Sequence, residues 1–578
     1  MPTGGRTLHV TTKRPQSRAQ GAGAPNSGEA PPPAARFVHL LFAAAGVAGG
    51  TNTFVAPLDR STAPLASVLL PVYADEDAFA EAVAQFRQAV GEQNVTLDSV
   101  VTRLYADSFF STHHPPNPDV QTPSVVVYPQ NTEQVSRVLQ IAHHHRVPVV
   151  ASAGLTSLEG HNMHTRGPRS VALALGGLDE VVQLNAADLD VTVQAGVGWQ
   201  ELDEYLRLSE AGRHLMFGPD PGMGATIAGM VGTSASGTNA YRYGTMKENV
   251  VNLTVVLADG TVVKTRRRPR KSLAGYDLTR LFIGSEGTLG IVTEITVKLH
   301  PRPAHELVGI AAFPSIKDAA ATAQTILSRL GLQPNAIELV NETTMSFVNE
   351  SGVLDKKFLE TPSLLLKVGG YNDRAIRELL HLIEQIAREN HVILFEKSAS
   401  PEDNDVLWGA RRAGLWLTFD YGAKVLEDKN DVQLWTTDFA VPISKMAQLI
   451  DETNADLIAL GFQNRFSVLG HVGDGNCHFL LLYNSKDYHK TKAVVDRMVE
   501  RAIHYEGTCT GEHGVGVGKR AYVEAELGTP AVDLMRRLKF ALDPRAILNP
   551  DKVFKIDPHE NLDELLNSGH VLENPKCC

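Results

Sequence analysis

Three glycine-rich stretches constrain the fold of this chain more than any other feature of its sequence. They occupy residues 151–161, 218–246 and 284–291. The first follows an apolar run at 124–129, a segment of helical periodicity and a second apolar run at 147–150. Glycine and hydroxyl residues after such a strand-helix-strand pattern can form a nest of backbone N–H groups for a diphosphate. One stretch alone is typical of ordinary turns, but two joined by this pattern predict a nucleotide site.

The type of nucleotide site is limited by a missing motif. No GxGxxG sequence follows an early strand, which disfavours a Rossmann NAD site. The small residues between Gly222 and Gly237 leave little side-chain bulk, so a planar ligand can lie against the backbone. Residues 252–263 then predict a hairpin with an Asp259-Gly260 turn, and residues 291–299 alternate like a half-buried strand.

Length and charge narrow the class of protein. A chain of 578 residues is too long for one core, so we expect two or more domains. The net charge of −11 argues against a nucleic-acid-binding surface, and the basic run at 266–271 is better interpreted as a solvated loop. The four cysteines form no CxxC pair, which fits a reducing compartment.

The N-terminal region differs in composition from the rest of the chain. Residues 1–36 contain five Arg or Lys residues against the single acid Glu29. We expect a mitochondrial transit peptide, the alternative being a disordered tail. Residues 37–58 carry no Lys, Arg, Asp or Glu and are long enough for a membrane anchor. The hydrophobic end of the targeting region is the alternative for this segment.

Residues 302–465 predict an α+β region. Helical periodicity occurs at 321–332 and 375–390. Strand-like runs occur at 363–370 and within 424–443.

Two histidines and an acid near the C-terminus could form a metal site. His471 and His478 would face opposite sides of a regular strand, but the turn at 473–475 can bring them together. With Glu512 they would form a two-histidine, one-carboxylate set that suits Zn²⁺ or another divalent ion. The spacing alone leaves buried structural histidines as the alternative. The glycine run before Lys519 is not a P-loop, because no Ser or Thr follows this lysine.

The glycine-rich stretches and their surroundings resemble one known family. The segments TSLEGH, DPGMGATI, SGTNAYRYGTM, RKSLAGYDLT and IGSEGTLGI occur in the order found in vanillyl-alcohol-oxidase-type FAD-binding oxidoreductases, the FAD-linked oxidase type-4 family. Within that family they are similar to the D-lactate dehydrogenases that pass electrons to cytochrome c. The resemblance implies an α+β fold with a vanillyl-alcohol-oxidase-type (PCMH-type) FAD-binding domain and an inserted α+β substrate cap domain.

The resemblance also implies how the chain is divided. We expect a targeting region with a membrane anchor at 1–72 and a FAD-binding domain at 73–301, with its core at about 120–301. The substrate cap domain with the metal site would occupy 302–545, and a segment returning to the flavin site would occupy 546–578.

The resemblance assigns roles to individual residues. His471, His478 and Glu512 match the family's metal ligands, with Zn²⁺ favoured over Mn²⁺. His513 matches the catalytic base, and Asn476 lies in the substrate pocket. Arg411 matches an arginine that binds the substrate carboxylate, for which a guanidinium is suited because it can donate two parallel hydrogen bonds. The expected FAD contacts are Gly154, Thr156, Ser157, Gly160, His161, Pro221, Gly222, Ala225, Thr226, Ser236, Gly237, Tyr243, Gly244, Glu286, Gly287, Ile291 and Asn549.

These assignments imply FAD-dependent oxidation of D-lactate to pyruvate. The metal would lower the pKa of the substrate hydroxyl, His513 would take its proton, and the Cα hydride would pass to flavin N5. Electrons would go to cytochrome c in the mitochondrion, at the inner membrane or in the intermembrane space, and an acidic surface would steer this basic partner. The alternatives are a D-2-hydroxyglutarate or glycolate dehydrogenase, a metal-dependent hydrolase, and a FAD-binding protein without turnover.

One departure from the family pattern concerns the first glycine-rich stretch. Family members usually carry consecutive glycines before the TS pair, where this chain has Gly154 and then Leu155. If this position requires a positive φ or a close approach to a phosphate, leucine is costly there and weakens FAD binding.

Overall fold

The structure is a computed structural model that describes residues 71–329 and 331–558. The predicted transit peptide and the apolar segment at 37–58 lie outside the described residues. Within the described part, none of the helices combines the length and the apolar character needed to cross a bilayer.

The first unit of the fold precedes residue 302 and contains short helices and strands. Its helices are α1 (Glu76–Val90), α2 (Ser99–Leu104), α3 (Pro118–Gln121), α4 (Thr132–His145), α5 (Trp199–Leu208), α6 (Ile227–Thr233), α7 (Ala240–Tyr243), α8 (Met246–Asn249) and α9 (Leu278–Phe282). Its strands are β1 (Val95–Thr96), β2 (Val125–Val127), β3 (Val149–Ser152), β4 (Val171–Ala174), β5 (Val181–Asn185), β6 (Asp190–Gln194), β7 (Leu215–Met216), β8 (Val250–Val256), β9 (Val262–Lys264), β10 (Ile291–Lys298) and β11 (His300–Pro301).

A small, mostly parallel sheet opens this unit, in the order β1-β2-β4-β3. The helix α4 begins where the Asn131 side chain accepts from the Gln134 N–H at 2.9 Å, and it ends at Arg146 in the left-handed region. Its apolar stripe packs with α1 against this sheet. The strand-helix-strand pattern expected before the first glycine-rich stretch is therefore confirmed.

An antiparallel sheet in the order β5-β6-β10-β8-β9 follows. The β8–β9 pairing confirms the predicted hairpin, and the Gly260 N–H donates to the Leu257 carbonyl at its turn. The helix α6 packs on β10, so the loops around α6 and before β10 meet at one edge of this sheet.

The second unit contains longer elements. Its strands are β12 (His305–Ala312), β13 (Ala336–Val340), β14 (Ser363–Gly370), β15 (Leu394–Lys397), β16 (Gln433–Ala440), β17 (Phe466–Gly470) and β18 (Asn476–Tyr483). Its helices are α10 (Ile316–Ser328), α11 (Glu342–Ser351), α12 (Asp373–Glu389), α13 (Pro401–Arg412), α14 (Gly414–Val425), α15 (Ile443–Ala459), α16 (Tyr488–His504), α17 (Arg520–Leu527) and α18 (Thr529–Leu542).

One antiparallel sheet organises the second unit, in the order β15-β12-β14-β13-β17-β18-β16. The helices α10, α12, α15 and α16 bury their apolar stripes against one face. The helices α11, α13 and α14 cover part of the other face. Because side chains alternate along a strand, Glu338, Asp438 and His478 lie on this second face, next to apolar residues that contact those three helices.

One of the sequence-based boundaries in this unit was wrong. The helix expected at 321–332 begins earlier, where Ser315 caps it, and ends at Ser328. The strand-like run expected within 424–443 is confirmed as β16, which begins at Gln433 after α14 has ended at Val425.

The chain returns to the first unit after α18. The Ile547 carbonyl accepts from the Val149 N–H at 2.7 Å, and the Asn549 N–H donates to the Val149 carbonyl at 2.8 Å. The buried Lys539 ammonium donates to the Leu548 carbonyl and to the Asp543 carboxylate. This segment therefore extends the small sheet beside β3.

Candidate active site

The three glycine-rich stretches lie in loops at the ends of strands and helices. Residues 154–161 follow β3, residues 218–226 precede α6, and residues 284–291 lead into β10. At the start of α6 the Thr226 hydroxyl accepts from the Gly229 N–H at 3.4 Å, which leaves the helix N-terminus at the edge of the loop.

Close contacts bring these loops together. A Cβ at Gly154 would lie 2.7 Å from the Gly224 carbonyl, so this approach requires glycine. The Glu286 N–H donates to the Gly232 carbonyl at 2.9 Å. The Asn549 side chain donates to the Glu286 carbonyl at 2.7 Å. The structure thus unites the first with the second stretch, and the second with the third and the returning segment.

Two of the expected FAD contacts lie further towards the second unit. Tyr243 and Gly244 end α7, where the Tyr243 ring centroid is 4.8 Å from that of His300. The Asn335 side chain donates to the Tyr243 hydroxyl at 3.3 Å. These residues therefore lie at the border of the two units.

The loops fit a large ligand that lies against the backbone. A Cβ at Gly222 or Gly232 would find no atom of the described residues within 4 Å. Both ring nitrogens of the buried His161 lack a hydrogen bond among the described residues, although Nε2 is 3.3 Å from the Glu286 carboxylate. Open space along glycines beside unsatisfied buried polar atoms is what a bound FAD would fill.

Leu155 has the strained backbone that its departure from the family pattern suggested. Its φ is 52°, in the left-handed region, which costs a leucine about 1–2 kcal/mol relative to an unstrained conformation. Its carbonyl accepts from the Ser108 hydroxyl at 2.8 Å, and this bond helps to fix the conformation.

The expected metal ligands converge on the open face of the seven-stranded sheet. His471 follows β17, His478 lies on β18, and the intervening turn at 472–474 places their ring centroids 5.1 Å apart. Glu512 Oε2 lies 3.0 Å from His471 Nε2 and 3.4 Å from His478 Nε2. One potential ligand atom of each residue lies within 4.8 Å of the others, which fits a divalent ion.

A carboxylate behind this group connects it to Arg411. Glu338 Oε1 lies 2.8 Å from His471 Nδ1, and Glu338 Oε2 accepts from Arg411 Nε at 2.7 Å. A carboxylate on the second nitrogen of a histidine ligand orients the ring and makes it a better donor to a metal. Glu338 therefore fixes both His471 and Arg411.

The electrostatics of the group favour a cation. Burial alone would lower the pKa of His471, but the carboxylates of Glu338 and Glu512 raise this pKa to about 10. Burial lowers the pKa of His478 to about 4, so this ring stays neutral and free to coordinate. The field that retains a proton on His471 would also stabilise a metal ion, whose binding releases that proton.

The candidate base His513 lies beside the metal group. Its ring stacks on His478 with centroids 5.1 Å apart. Its Nδ1 is 3.4 Å from Asp438 and 3.6 Å from Glu159, two fully buried carboxylates. Asn476 lies nearby, and its buried Oδ1 has no hydrogen-bond partner among the described residues. This atom could accept a hydrogen bond from a substrate.

Sequence reasoning missed the buried charges that surround these residues. Glu338 and Asp438 lie in strands, and Glu159 lies in the first glycine-rich stretch, but no role was expected for any of the three. The structure also explains the glycine run at 514–518, which the sequence left without a role. A Cβ at Gly516 would lie 2.1 Å from the Glu159 carbonyl, so only glycine fits there. A charged residue within an apolar strand, such as Glu338 in AIELV, was the one available signal.

Comparisons with known proteins agree with this geometry. Residues 123–266 match the family described as FAD binding domain, and residues 302–553 match FAD linked oxidases, C-terminal domain. The chain is 46% identical to a Kluyveromyces lactis protein named D-lactate dehydrogenase [cytochrome], mitochondrial, over 87% of this chain and 86% of that one.

The chain belongs to the FAD-linked oxidase family.

A second relative of this FAD-linked oxidase is glycolate oxidase subunit GlcD of Bacillus subtilis. It is 32% identical over 76% of this chain and 91% of that one. Among solved structures, 4-ethylphenol oxidase from Gulosibacter chungangensis superposes with a TM-score of 0.69 at 20% identity, covering 85% of this chain and 99% of that one. p-Cresol methylhydroxylase superposes with a TM-score of 0.67 at 15% identity, covering 84% and 99%. The expected α+β fold of the vanillyl-alcohol-oxidase (PCMH) type is confirmed, as is a FAD-dependent oxidoreductase.

Proposed function

We propose that this FAD-linked oxidase oxidises D-lactate to pyruvate at a divalent metal site and passes the electrons to cytochrome c in the mitochondrion. The observation that carries the proposal is the convergence of His471, His478 and Glu512 beside His513 and Arg411. The name of the Kluyveromyces lactis relative supports the substrate, the acceptor and the compartment.

Each residue has a chemical role in this proposal. Bound FAD supplies a two-electron acceptor, and a divalent ion on His471, His478 and Glu512 supplies positive charge that polarises the substrate hydroxyl and carboxylate. Arg411, fixed through Nε by Glu338, binds the carboxylate with its terminal nitrogens. His513 takes the hydroxyl proton.

Asn476 completes the substrate contacts. Its buried Oδ1 has no hydrogen-bond partner among the described residues, so this side chain is free to turn towards the substrate and hold it beside His513, which takes the hydroxyl proton. The glycines of the three loops and the buried His161 hold the FAD.

The test is a spectrum of the purified protein with FAD and Zn²⁺ under anaerobic conditions. D-Lactate should bleach the flavin absorption, and ferricytochrome c should restore it. A flavin that dithionite bleaches but D-lactate leaves oxidised would exclude this substrate. Cell fractionation that finds the protein in the cytosol would exclude the mitochondrial location.

Glycolate is the second candidate substrate, because the Bacillus subtilis relative carries that name. D-Lactate differs from glycolate by one methyl group, and a hydrophobic pocket discriminates about 10- to 200-fold on such a group. Flavin reduction should therefore be measured side by side with D-lactate, glycolate and D-2-hydroxyglutarate. A higher kcat/KM for glycolate or D-2-hydroxyglutarate would reassign the substrate.

A further inference from the structure

Asp438 accepts hydrogen bonds from the loop that carries Glu512 and His513. Its Oδ2 accepts from the Gly511 N–H at 2.8 Å and from the Glu512 N–H at 2.6 Å. Its Oδ1 accepts from the Thr510 hydroxyl at 3.1 Å, and the His513 N–H points to Oδ2 at 3.4 Å. One fully buried side chain thus contacts four consecutive residues of this loop.

Lys519 neutralises this buried carboxylate. The Lys519 ammonium is itself buried, donates to the Asp438 carboxylate, and donates to the Asp438 carbonyl at 2.6 Å. Isolated burial of either charge would be costly, so the pair is retained as a unit. We call residues 510–513, Asp438 and Lys519 together the loop clamp.

Asp438 is also near enough to the metal group to be mistaken for a ligand. It pairs in register with His478, and its carboxylate, His478 and His513 have potential ligand atoms within 4.8 Å of one another. A carboxylate offers about four lone-pair sites. The donors of residues 510–513 and Lys519 together occupy them, whereas Glu512 faces His471 and His478.

We propose that Asp438 is a positioning residue of the reaction: through the loop clamp it places Glu512 on the metal and His513 on the substrate at the same time. The inference rests on the proposed function, because it takes Glu512 as a ligand and His513 as the base. Because Glu512 and His513 are adjacent in sequence, a shift of the loop that Asp438 anchors would displace both residues together.

The central experiment compares the FAD-loaded wild type with Asp438→Asn. The amide keeps the size of the carboxylate but turns an NH₂ group towards N–H donors, so the loop must move. Zn²⁺ affinity, measured by competition with a chelator, should fall about 10- to 100-fold. At saturating Zn²⁺ the kcat for D-lactate should still be lower by about 10²-fold, because a displacement of about 1 Å has that cost, while KM changes less.

Asp431→Asn is the matched control. Asp431 also accepts from a backbone N–H and a hydroxyl, those of Ser485, each at 2.6 Å, but it is only half-buried and precedes β16 at the end remote from the site. We expect wild-type Zn²⁺ affinity and kcat for this variant. Thr510→Val removes one donor and keeps the Asp438 charge, and it should lower both quantities by a smaller factor even if Asp438→Asn does not fold.

Each other outcome overturns the proposal. Full recovery of kcat at saturating Zn²⁺ would make Asp438 a metal ligand. Wild-type values for both Asp438→Asn and Thr510→Val would remove any role. Losses of flavin content and thermal stability without a change in Zn²⁺ affinity would indicate a purely structural residue. A wild type that binds Zn²⁺ but is not reduced by D-lactate would instead overturn the proposed function, and the Zn²⁺ affinities would still decide the role of Asp438.

Discussion

At the scale of single residues, charge compensation decides what this site can bury. Glu338 is fully buried, yet it contacts both Arg411 and His471, and these partners keep the pKa of its carboxyl low against the effect of burial. Removing one partner of such a group leaves an uncompensated charge, which is strongly destabilising. Variants of the outer residues His478 and His513 therefore separate binding from chemistry more cleanly than variants of Glu338.

His478→Ala and His513→Ala should fail in different ways. Loss of His478 removes one of three expected metal ligands, so metal and activity should disappear together. Loss of His513 should leave flavin and metal in place but slow flavin reduction by about 10² to 10⁴, the usual contribution of a positioned base. Metal analysis and anaerobic stopped-flow spectra measure both. Wild-type flavin reduction in His478→Ala would show that the histidines are structural.

Leu155→Gly should tighten FAD binding. Glycine adopts the observed φ of 52° without the cost of about 1–2 kcal/mol that a leucine bears. Because FAD orders this loop when it binds, part of that difference should appear in the free energy of FAD binding. The two FAD dissociation constants, measured by fluorescence titration, should differ by several-fold. Equal or weaker affinity for the glycine variant would mean that the Leu155 side chain contributes contacts that offset its strain.

At the scale of elements, the glycine run at 514–518 packs against the first glycine-rich stretch. Its Val517 N–H donates to the Glu159 carbonyl at 2.8 Å, and the Val515 N–H donates to the Glu286 carboxylate at 2.7 Å. A Cβ at Gly518 would lie 2.2 Å from the His113 ring. The run therefore connects the loop of the candidate base to the candidate FAD loops at backbone distance.

Gly516→Ala should destabilise the protein more than Gly352→Ala. Both glycines have a positive φ, 51° and 66°, so each variant bears a backbone cost of about 1 kcal/mol. At Gly516 the new Cβ would also meet the Glu159 carbonyl at 2.1 Å, whereas at Gly352 it would find open space. Overpacking adds about 1–3 kcal/mol.

Denaturant unfolding of both variants, with and without FAD, measures this difference. Gly516→Ala should also lose FAD affinity, since its loop contacts the candidate FAD loops. Equal stability of the two variants would contradict the contact at Glu159.

At the scale of the whole molecule, the site lies between two units and needs both. The Thr112 hydroxyl donates to the Thr436 carbonyl at 3.2 Å. Tyr241 packs closely on Gly473, because a Cβ at Gly473 would lie 2.7 Å from the Tyr241 ring. The expected FAD loops belong to the first unit, and the expected metal ligands belong to the second. The chain also carries a net charge of −11, which acts on partners at longer range.

Turnover with cytochrome c should fall as ionic strength rises. Steering between an acidic protein and a basic partner raises association rates at low salt and is screened at distances beyond about 8 Å at physiological salt. We expect kcat/KM for cytochrome c to fall about 10-fold or more between low and high salt. Reduction of a small neutral acceptor by the same enzyme is the control. A flat profile with cytochrome c would contradict the steering.

The sequence by itself determined the local patterns of this protein. The strand-helix-strand start, the β8–β9 hairpin and the strand at 363–370 follow from periodicity and turn chemistry, which act over a few residues. The ordered motifs indicated the family, which the comparisons confirmed. The turn at 473–475 was enough to expect that His471 and His478 could meet.

Only the tertiary structure decided which charges share a buried space. Glu338 reaches His471 across 133 positions, and Asp438 reaches Glu512 across 74 positions. No local pattern encodes such pairs, because they depend on how the strands order themselves within the sheet. The same holds for Gly516, whose lack of a side chain matters only because Glu159 of the other unit packs against it. The sequence indicates which reactive groups are present, and the order of the strands in the sheet determines which side chains surround them.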